Sequence, residues 1–307
     1  MRSERGQASV EWTAAVLVVA LALGAAIAAV PLIDGRSFGS WLGRQILCAV
    51  RGDCGDGGAD ALAFAYGRRD AALVRRFAPN IVYEPGTHTL PVDFRRCRSH
   101  ACSDAPDDPS LDVSRSNRGA PATAFTHVVH RGGETFLQYW LYYPDSPATF
   151  LGSHALLKHL PGGDPADHAH DWEGYQVRVG SDGDAVVRAT SHHGYQGCKE
   201  AQCKNRWIAW TGWTRVSKGS HAGHIPYESR WDVEPRRRHG PARRRLAGYR
   251  PLYPGRDLHE RTTGSAALNL IPIETLPPEV LRDTKWDGIS PPWLKEVYLD
   301  PLSNSTS

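Results

Sequence analysis

The chain has 307 residues, with 36 Lys and Arg against 33 Asp and Glu, 41% hydrophobic residues and 9% aromatics. That balance excludes a disordered, collagen-like or coiled-coil chain, and a formal charge of +3 excludes a dedicated nucleic-acid binder, which would carry a strongly basic domain. Thirty glycines, 22 prolines, ten tryptophans and eleven tyrosines point to a turn-rich, mainly β body.

The chain opens with an apolar run. Ala14 to Ile33 reads AAVLVVALALGAAIAAVPLI without a charge, long enough at about 1.5 Å per residue to span a bilayer core. A cleaved secretory signal ending among the small residues Ala25 to Ala29 is the alternative, although its apolar core would be shorter. Arg2 and Arg5 precede the run, and Asp34 and Arg36 follow it. This bias, with the leader motif described below, places the N-terminus in the cytoplasm and the remainder outside.

The six cysteines form three close pairs: Cys48 with Cys54, Cys97 with Cys102, and Cys198 with Cys203. An even count in local pairs suits disulfides in an oxidising compartment rather than zinc. Six cysteines allow fifteen connectivities, and the local one is expected because more than forty residues separate each pair from the next. Residues 34–60 read as a stalk. Leu62, Tyr66, Leu73, Val74 and Phe77 recur at helical spacing and stop before Pro79, so a short amphipathic helix leads into the main domain. From Asn80 the texture becomes β.

Ile81-Val82-Tyr83 is a short strand, and 103–122 is a polar loop. Thr123–His130 and Thr135–Tyr143 flank Arg131-Gly132-Gly133-Glu134 and form a hairpin. The second arm, apolar or aromatic on both faces, is expected to be a central strand. Residues 144–167 form a loop with a short helix candidate at His154–Leu160. Trp172–Val179 and Ala185–Ser191 form another hairpin, and Trp207–Ser217 is a further strand region. Residues 236–245, RRRHGPARRR, read as a solvated loop, with contact to anionic lipid or wall polymer as the alternative. The C-terminus reads as irregular chain packed on the body by Trp286 and Trp293.

Chemistry concentrates in Asp167-His168-Ala169-His170-Asp171-Trp172-Glu173-Gly174. On a strand, Asp171 and Glu173 project together and Trp172 projects oppositely. His168 in the preceding loop can fold back, and one imidazole with two carboxylates makes a divalent-cation site. His192-His193 and His221-Ala222-Gly223-His224 follow. A buried polar network without an ion is the alternative, but clustered carboxylates repel unless an ion or protons neutralise them.

Two resemblances add to this reading. RGQASVEW, Arg5 to Trp12, resembles the type IV pilin-like leaders of Flp/TadE-type envelope proteins. The resemblance implies cleavage between Gly6 and Gln7, with Glu11 as the characteristic glutamate of the mature N-terminus and pilus-type assembly machinery as a partner. HAHDWE, His168 to Glu173, resembles the GHRHDWE segment of necrosis-inducing NPP1/Nep1-like proteins. Tyr142–Pro147 and Ser191–Tyr195 resemble flanking motifs of that family, whereas Val216–Ala222 is more similar to the Vps62 family. Together these cover about residues 76–225.

The NPP1 resemblance implies a β-sandwich with a divalent ion held by Asp145, His168, Asp171 and Glu173. His170, His193 and His221 are outer-shell candidates. Mostly oxygen ligands favour Mg²⁺, Mn²⁺ or Ca²⁺ over Zn²⁺.

The expected organisation is a leader (1–6), a single-pass transmembrane anchor (7–33), a stalk with a short linking helix (34–77) and an extracytoplasmic β-sandwich (78–300). The expected function is a membrane-anchored, metal-binding surface module for binding or envelope assembly. Its expected partners are the membrane and an anionic lipid, glycolipid or wall polymer, with no nucleic acid. A metal-dependent hydrolase using Glu173 or His193 as general base and an NPP1-like lipid-binding cytolysin are the alternatives.

Overall fold

The computed structural model describes residues 60–106, 112–146, 168–191, 194–196, 206–225, 227–229, 249–251, 261–282, 286 and 288–304. The leader with Gly6, Gln7 and Glu11, the apolar run, the helix candidate at 154–160, His193 and the basic run at 236–245 lie outside these residues. Four of the six cysteines also lie outside them: Cys48 and Cys54 in the stalk, and Cys198 and Cys203 after β6. The local disulfides expected of Cys54 with Cys48 and of Cys203 with Cys198 are therefore not among the structural findings, and only the pair Cys97 and Cys102 is described. Among the described residues no helix is long and apolar enough to cross a membrane.

Helix α1 (Ala61–Phe77) starts where Asp60 caps it, its carboxylate accepting from Ala63 N at 2.9 Å. It buries Leu62 before Gly67 and Ala71, Val74 and Phe77 after it, the last three at the three-residue spacing of one helical face. Gly67, at φ 79°, kinks it. The helix packs directly onto the β body. Tyr139 donates from its hydroxyl to Val74 O at 2.7 Å, Tyr66 donates to Thr126 O at 2.6 Å, and Phe77 meets Trp210 edge-on at 5.0 Å.

The strands are β1 (Asn80–Tyr83), β2 (Thr123–Arg131), β3 (Glu134–Ser146), β4 (His168–Val179), β5 (Ala185–Ser191), β6 (Gly194–Gln196), β7 (Ile208–Ala209), β8 (Trp213–Val216), β9 (Gly223–His224), β10 (Tyr227–Ser229), β11 (Tyr249–Pro251), β12 (Thr262–Thr263) and β13 (Asn269–Pro272). The larger sheet runs β13-β2-β3-β4-β5-β6, with β7 pairing β5. The smaller runs β12-β1-β8-β9, and β10-β11 is a separate ribbon. Both sheets mix parallel and antiparallel pairs. Among the described residues there are also short helices α2 (His100–Ser103), α3 (Pro278–Leu281) and α4 (Glu296–Leu299) and three 3₁₀ turns, Ser265–Ala267, Ile273–Thr275 and Pro292–Leu294. The described body is therefore mainly β, with two sheets as the sandwich reading expects.

The β2–β3 hairpin turns on Gly132 and Gly133, at φ 61° and 81°. A two-residue turn of this kind needs positive φ at both positions, which glycine supplies without strain. Nearly all of β3 is buried on both faces, as its aromatic run predicts, and it sits between β2 and β4.

Two strand readings change. The 207–217 region divides into β7 and β8, which belong to different sheets. Gly212, at φ 81°, turns the chain between them. β4 begins at His168 rather than at Trp172, because Ser146 and Asp145 extend β3 and pair with His168 and Ala169. The smaller sheet approaches the larger closely at Gly223, where a Cβ would stand 3.1 Å from the Ala189 Cβ.

Candidate functional site

One register positions the acidic residues. Along β3 and β4, Leu141 pairs Glu173, Tyr143 pairs Asp171 and Asp145 pairs Ala169. Side chains alternate along a strand and cross-strand partners share a face. Asp145, Asp171 and Glu173 therefore belong to one face of the sheet.

Asp171 is buried, and its Oδ2 lies 3.3 Å from Nδ1 of the buried His221. The His221 ring stacks on Tyr143, with centroids 4.0 Å apart and an interplanar angle of 6°. His221 takes φ 51°, a left-handed conformation uncommon outside glycine.

Glu173 is half-buried and accepts a hydrogen bond from the Thr190 hydroxyl. Its carboxyl is held well above the ordinary carboxylate range, first by burial and then by the charge of Asp171. The Thr190 hydrogen bond and the charge of Lys295 act in the opposite direction. Burial lowers Lys295 from the usual lysine value, against the pull of Glu173 and Asp171. Two carboxylates thus share a partly desolvated space with one ammonium. The Tyr143 hydroxyl is buried and has no hydrogen-bond partner among the described residues.

Asp145 stands at the outer end of the same face. Its Oδ2 is 3.0 Å from His100 Nδ1, while its Oδ1 is buried with no hydrogen-bond partner among the described residues. His100 is carried by α2, inside the loop closed by the Cys97–Cys102 disulfide, whose Cα atoms are 5.7 Å apart. That disulfide is the local pairing the sequence predicts. A cavity of about 340 Å³ opens here, lined by Thr87, His88, Thr89, His100, Asp104 and His221 among others. The cavity shares His100 with Asp145 and His221 with Asp171.

The other sequence candidates separate from this set. His168 lies in the strand, not in a preceding loop, and its Nδ1 is 3.1 Å from His170 O and 3.3 Å from Ala169 O. A carbonyl can only accept, so Nδ1 carries the proton. The ring is engaged with its own strand and shows no contact with Asp171 or Glu173. His170 belongs to the aromatic side: its Nδ1 is 2.6 Å from the Tyr142 hydroxyl, and its ring meets Trp286 at 5.6 Å. Among the described residues, no three of His, Cys, Asp and Glu stand together in a metal-ligating group.

The donors fit an oxygen-preferring cation only in part. The shared face, the crowded carboxylates and the unpartnered Asp145 Oδ1 suit Mg²⁺ or Ca²⁺, whereas His168 does not join them. Sequence reading misses His100 and Lys295. Neither carries a local motif, and Lys295 comes from the C-terminal segment, far along the chain from Glu173.

No family model and no curated protein matches the chain. Among solved structures it is similar to NLPPya in complex with glucosamine, at 18% identity over 81% of this chain and 92% of that one, with a TM-score of 0.39. It is similar to a structure described as a toxin fold for microbial attack and plant defense, at 17% identity over 81% and 92% of the two chains, with a TM-score of 0.37. It is also similar to the non-toxic HaNLP3 protein, at 13% identity over 72% and 84%, with a TM-score of 0.32. These are proteins of the kind the HAHDWE segment resembles, and they bear on neither the Vps62-like stretch nor the pilin-like leader.

Proposed function

We propose that this chain is a cation-dependent surface-binding module. Asp171 and Glu173 hold one divalent cation, with Asp145 farther out along the same face. Held there, the ion would present an open position to an oxygen of a surface ligand, such as a hydroxyl of a glycolipid or wall polymer. Burial of Asp171 beside Glu173 is the observation that carries the reading. Two carboxylates on one desolvated face repel unless a cation or a proton intervenes; Lys295 offsets one charge, and the buried His221 ring stands 3.3 Å from Asp171. The unpartnered Asp145 Oδ1 and the resemblance of HAHDWE to the NPP1 segment support it. When bound, the cation supplies charge neutralisation and an open coordination position. The protein supplies the burial and the fixed register.

An N-terminal membrane anchor would hold the module on the outer surface of the cell. Vesicle assays with the full-length chain test the reading. Cosedimentation with glycolipid-bearing phosphatidylcholine vesicles is expected with Mg²⁺ or Ca²⁺ and lost in EDTA. Binding unchanged by EDTA would contradict it. Release of a trapped dye from the same vesicles would instead favour the cytolysin reading.

A further inference from the structure

The face of β4 opposite Asp171 and Glu173 carries a second cluster. Phe94 packs there against Phe125 at 5.0 Å, Trp172 at 5.5 Å and Trp286 at 5.0 Å. Exposed Arg98 lies on top of this cluster, its Cζ 4.8 Å from the centroid of Trp286 and 5.7 Å from that of Phe94. Its Nε donates to Phe94 O at 2.9 Å. Arg98 also sits within the loop closed by Cys97–Cys102. The guanidinium is therefore fixed at its root and stacked on its face, and its two terminal NH₂ groups have neither a hydrogen bond nor an ion pair among the described residues. Arginine stays charged at every working pH, so this is a persistent cation held in place, among the described residues, without a carboxylate.

Two indole donors lie within the cluster beneath it. Trp286 Nε1 and Trp172 Nε1 are both buried without an acceptor among the described residues. His170 shares the Trp286 ring with Arg98 and is fixed by the Tyr142 hydroxyl. His170 takes φ 62°, a conformation that persists in a non-glycine residue mainly where the surrounding structure imposes it. Among the described residues no carboxylate forms an ion pair with Arg98, and Asp145, on the acid face, has His100 at 3.0 Å. The complement of such a set is a group with several acceptor oxygens and a negative charge. A guanidinium fork matches phosphate in this way.

We infer that Arg98, stacked on Trp286 beside His170, forms a subsite for a phosphate group. The phosphate comes either from a free ion or from a lipid head group. The subsite stands on the opposite face from the acid pair and needs no divalent cation, so the two readings fail independently.

The test is a tryptophan-fluorescence titration of the full-length chain in non-ionic detergent, in EDTA and at constant ionic strength. Trp286 lies under Arg98 and reports occupancy. Inorganic phosphate and the short-chain lipid dihexanoyl phosphatidate are the probes, with dihexanoyl phosphatidylcholine as the control. Saturable binding is expected for a phosphate probe, with affinity reduced about tenfold in Arg98→Gln, as loss of a charge-assisted contact implies. Arg98→Lys, which keeps the charge but loses the fork, should fall between the two and covers the case in which the Gln variant does not fold. Tighter binding of phosphatidate than of phosphate assigns a lipid source, and equal binding assigns the free ion. No saturable response to either probe, or equal affinity in wild type and both variants, overturns the subsite.

Discussion

Glu173→Gln isolates the electrostatic cost of the acid pair. The Glu173 carboxyl is raised above its ordinary value by burial and by Asp171, so the folded chain binds that proton more tightly than the unfolded one. The sign follows from linkage: stability is full below the ordinary carboxylate value and is lost as pH rises from there toward the raised folded value. Each pH unit in that window removes about 1.4 kcal/mol, which for a domain of this size lowers Tm by roughly 2–6 °C. Lys295, lowered by burial, acts with the opposite sign, since a lowered lysine gains stability as pH rises through its folded and then its unfolded value. Glu173→Gln keeps the shape and removes the titration.

In EDTA the variant should melt above wild type at neutral pH, and its Tm should vary less between pH 5 and 8. Adding Mg²⁺ should reverse the order. The cation replaces the proton on Glu173, so the Mg²⁺-induced rise in wild-type Tm grows with pH, whereas the Gln variant gains little. Scanning fluorimetry of both proteins across that pH range, with and without Mg²⁺, makes the comparison. A wild-type Tm flat with pH in EDTA, or a Gln variant less stable at neutral pH, would refute the reasoning.

Three further outcomes are expected. Asp171→Ala should abolish cation-dependent stabilisation while His170→Ala leaves it largely in place, because His170 faces Trp286 and not the acid pair; equal loss in thermal-shift titrations would reject that division. Replacing Cys97 and Cys102 by Ser should cost about 2 kcal/mol, the chain-entropy value for so short a loop, and should loosen His100 from Asp145, read by urea unfolding and by the histidine NMR signal; an unchanged midpoint would contradict it. Mass spectrometry of the mature chain should find an N-terminus at Gln7, and a terminus near residue 30 would replace the anchor with a cleaved signal.

Much of the fold is legible because its signals are local. Gly132-Gly133 fixes the hairpin, the aromatic run of β3 announces a strand covered on both sides, and the five-residue spacing of Cys97 and Cys102 permits a local disulfide. Period two alone brings Asp171 and Glu173 to one face. What escapes is tertiary. His168-Ala169-His170 has no strand propensity worth reading, and only pairing with Asp145 and Ser146 draws it into β4. That extension engages His168 with the carbonyls of Ala169 and His170 rather than with the acids. The division of 207–217 between two sheets depends on one glycine torsion. His100 and Lys295 reach the acidic face from a disulfide loop and from the C-terminal segment, convergences that no spacing rule encodes.

Isothermal titration calorimetry of the full-length chain, stripped with EDTA and titrated with Mg²⁺, Mn²⁺ and Ca²⁺, tests the central claim most directly. One cation per chain is predicted, with affinity rising with pH as Glu173 gives up its proton and with binding lost in Asp171→Ala. No heat of binding from any of the three cations, or undiminished binding in Asp171→Ala, would contradict it.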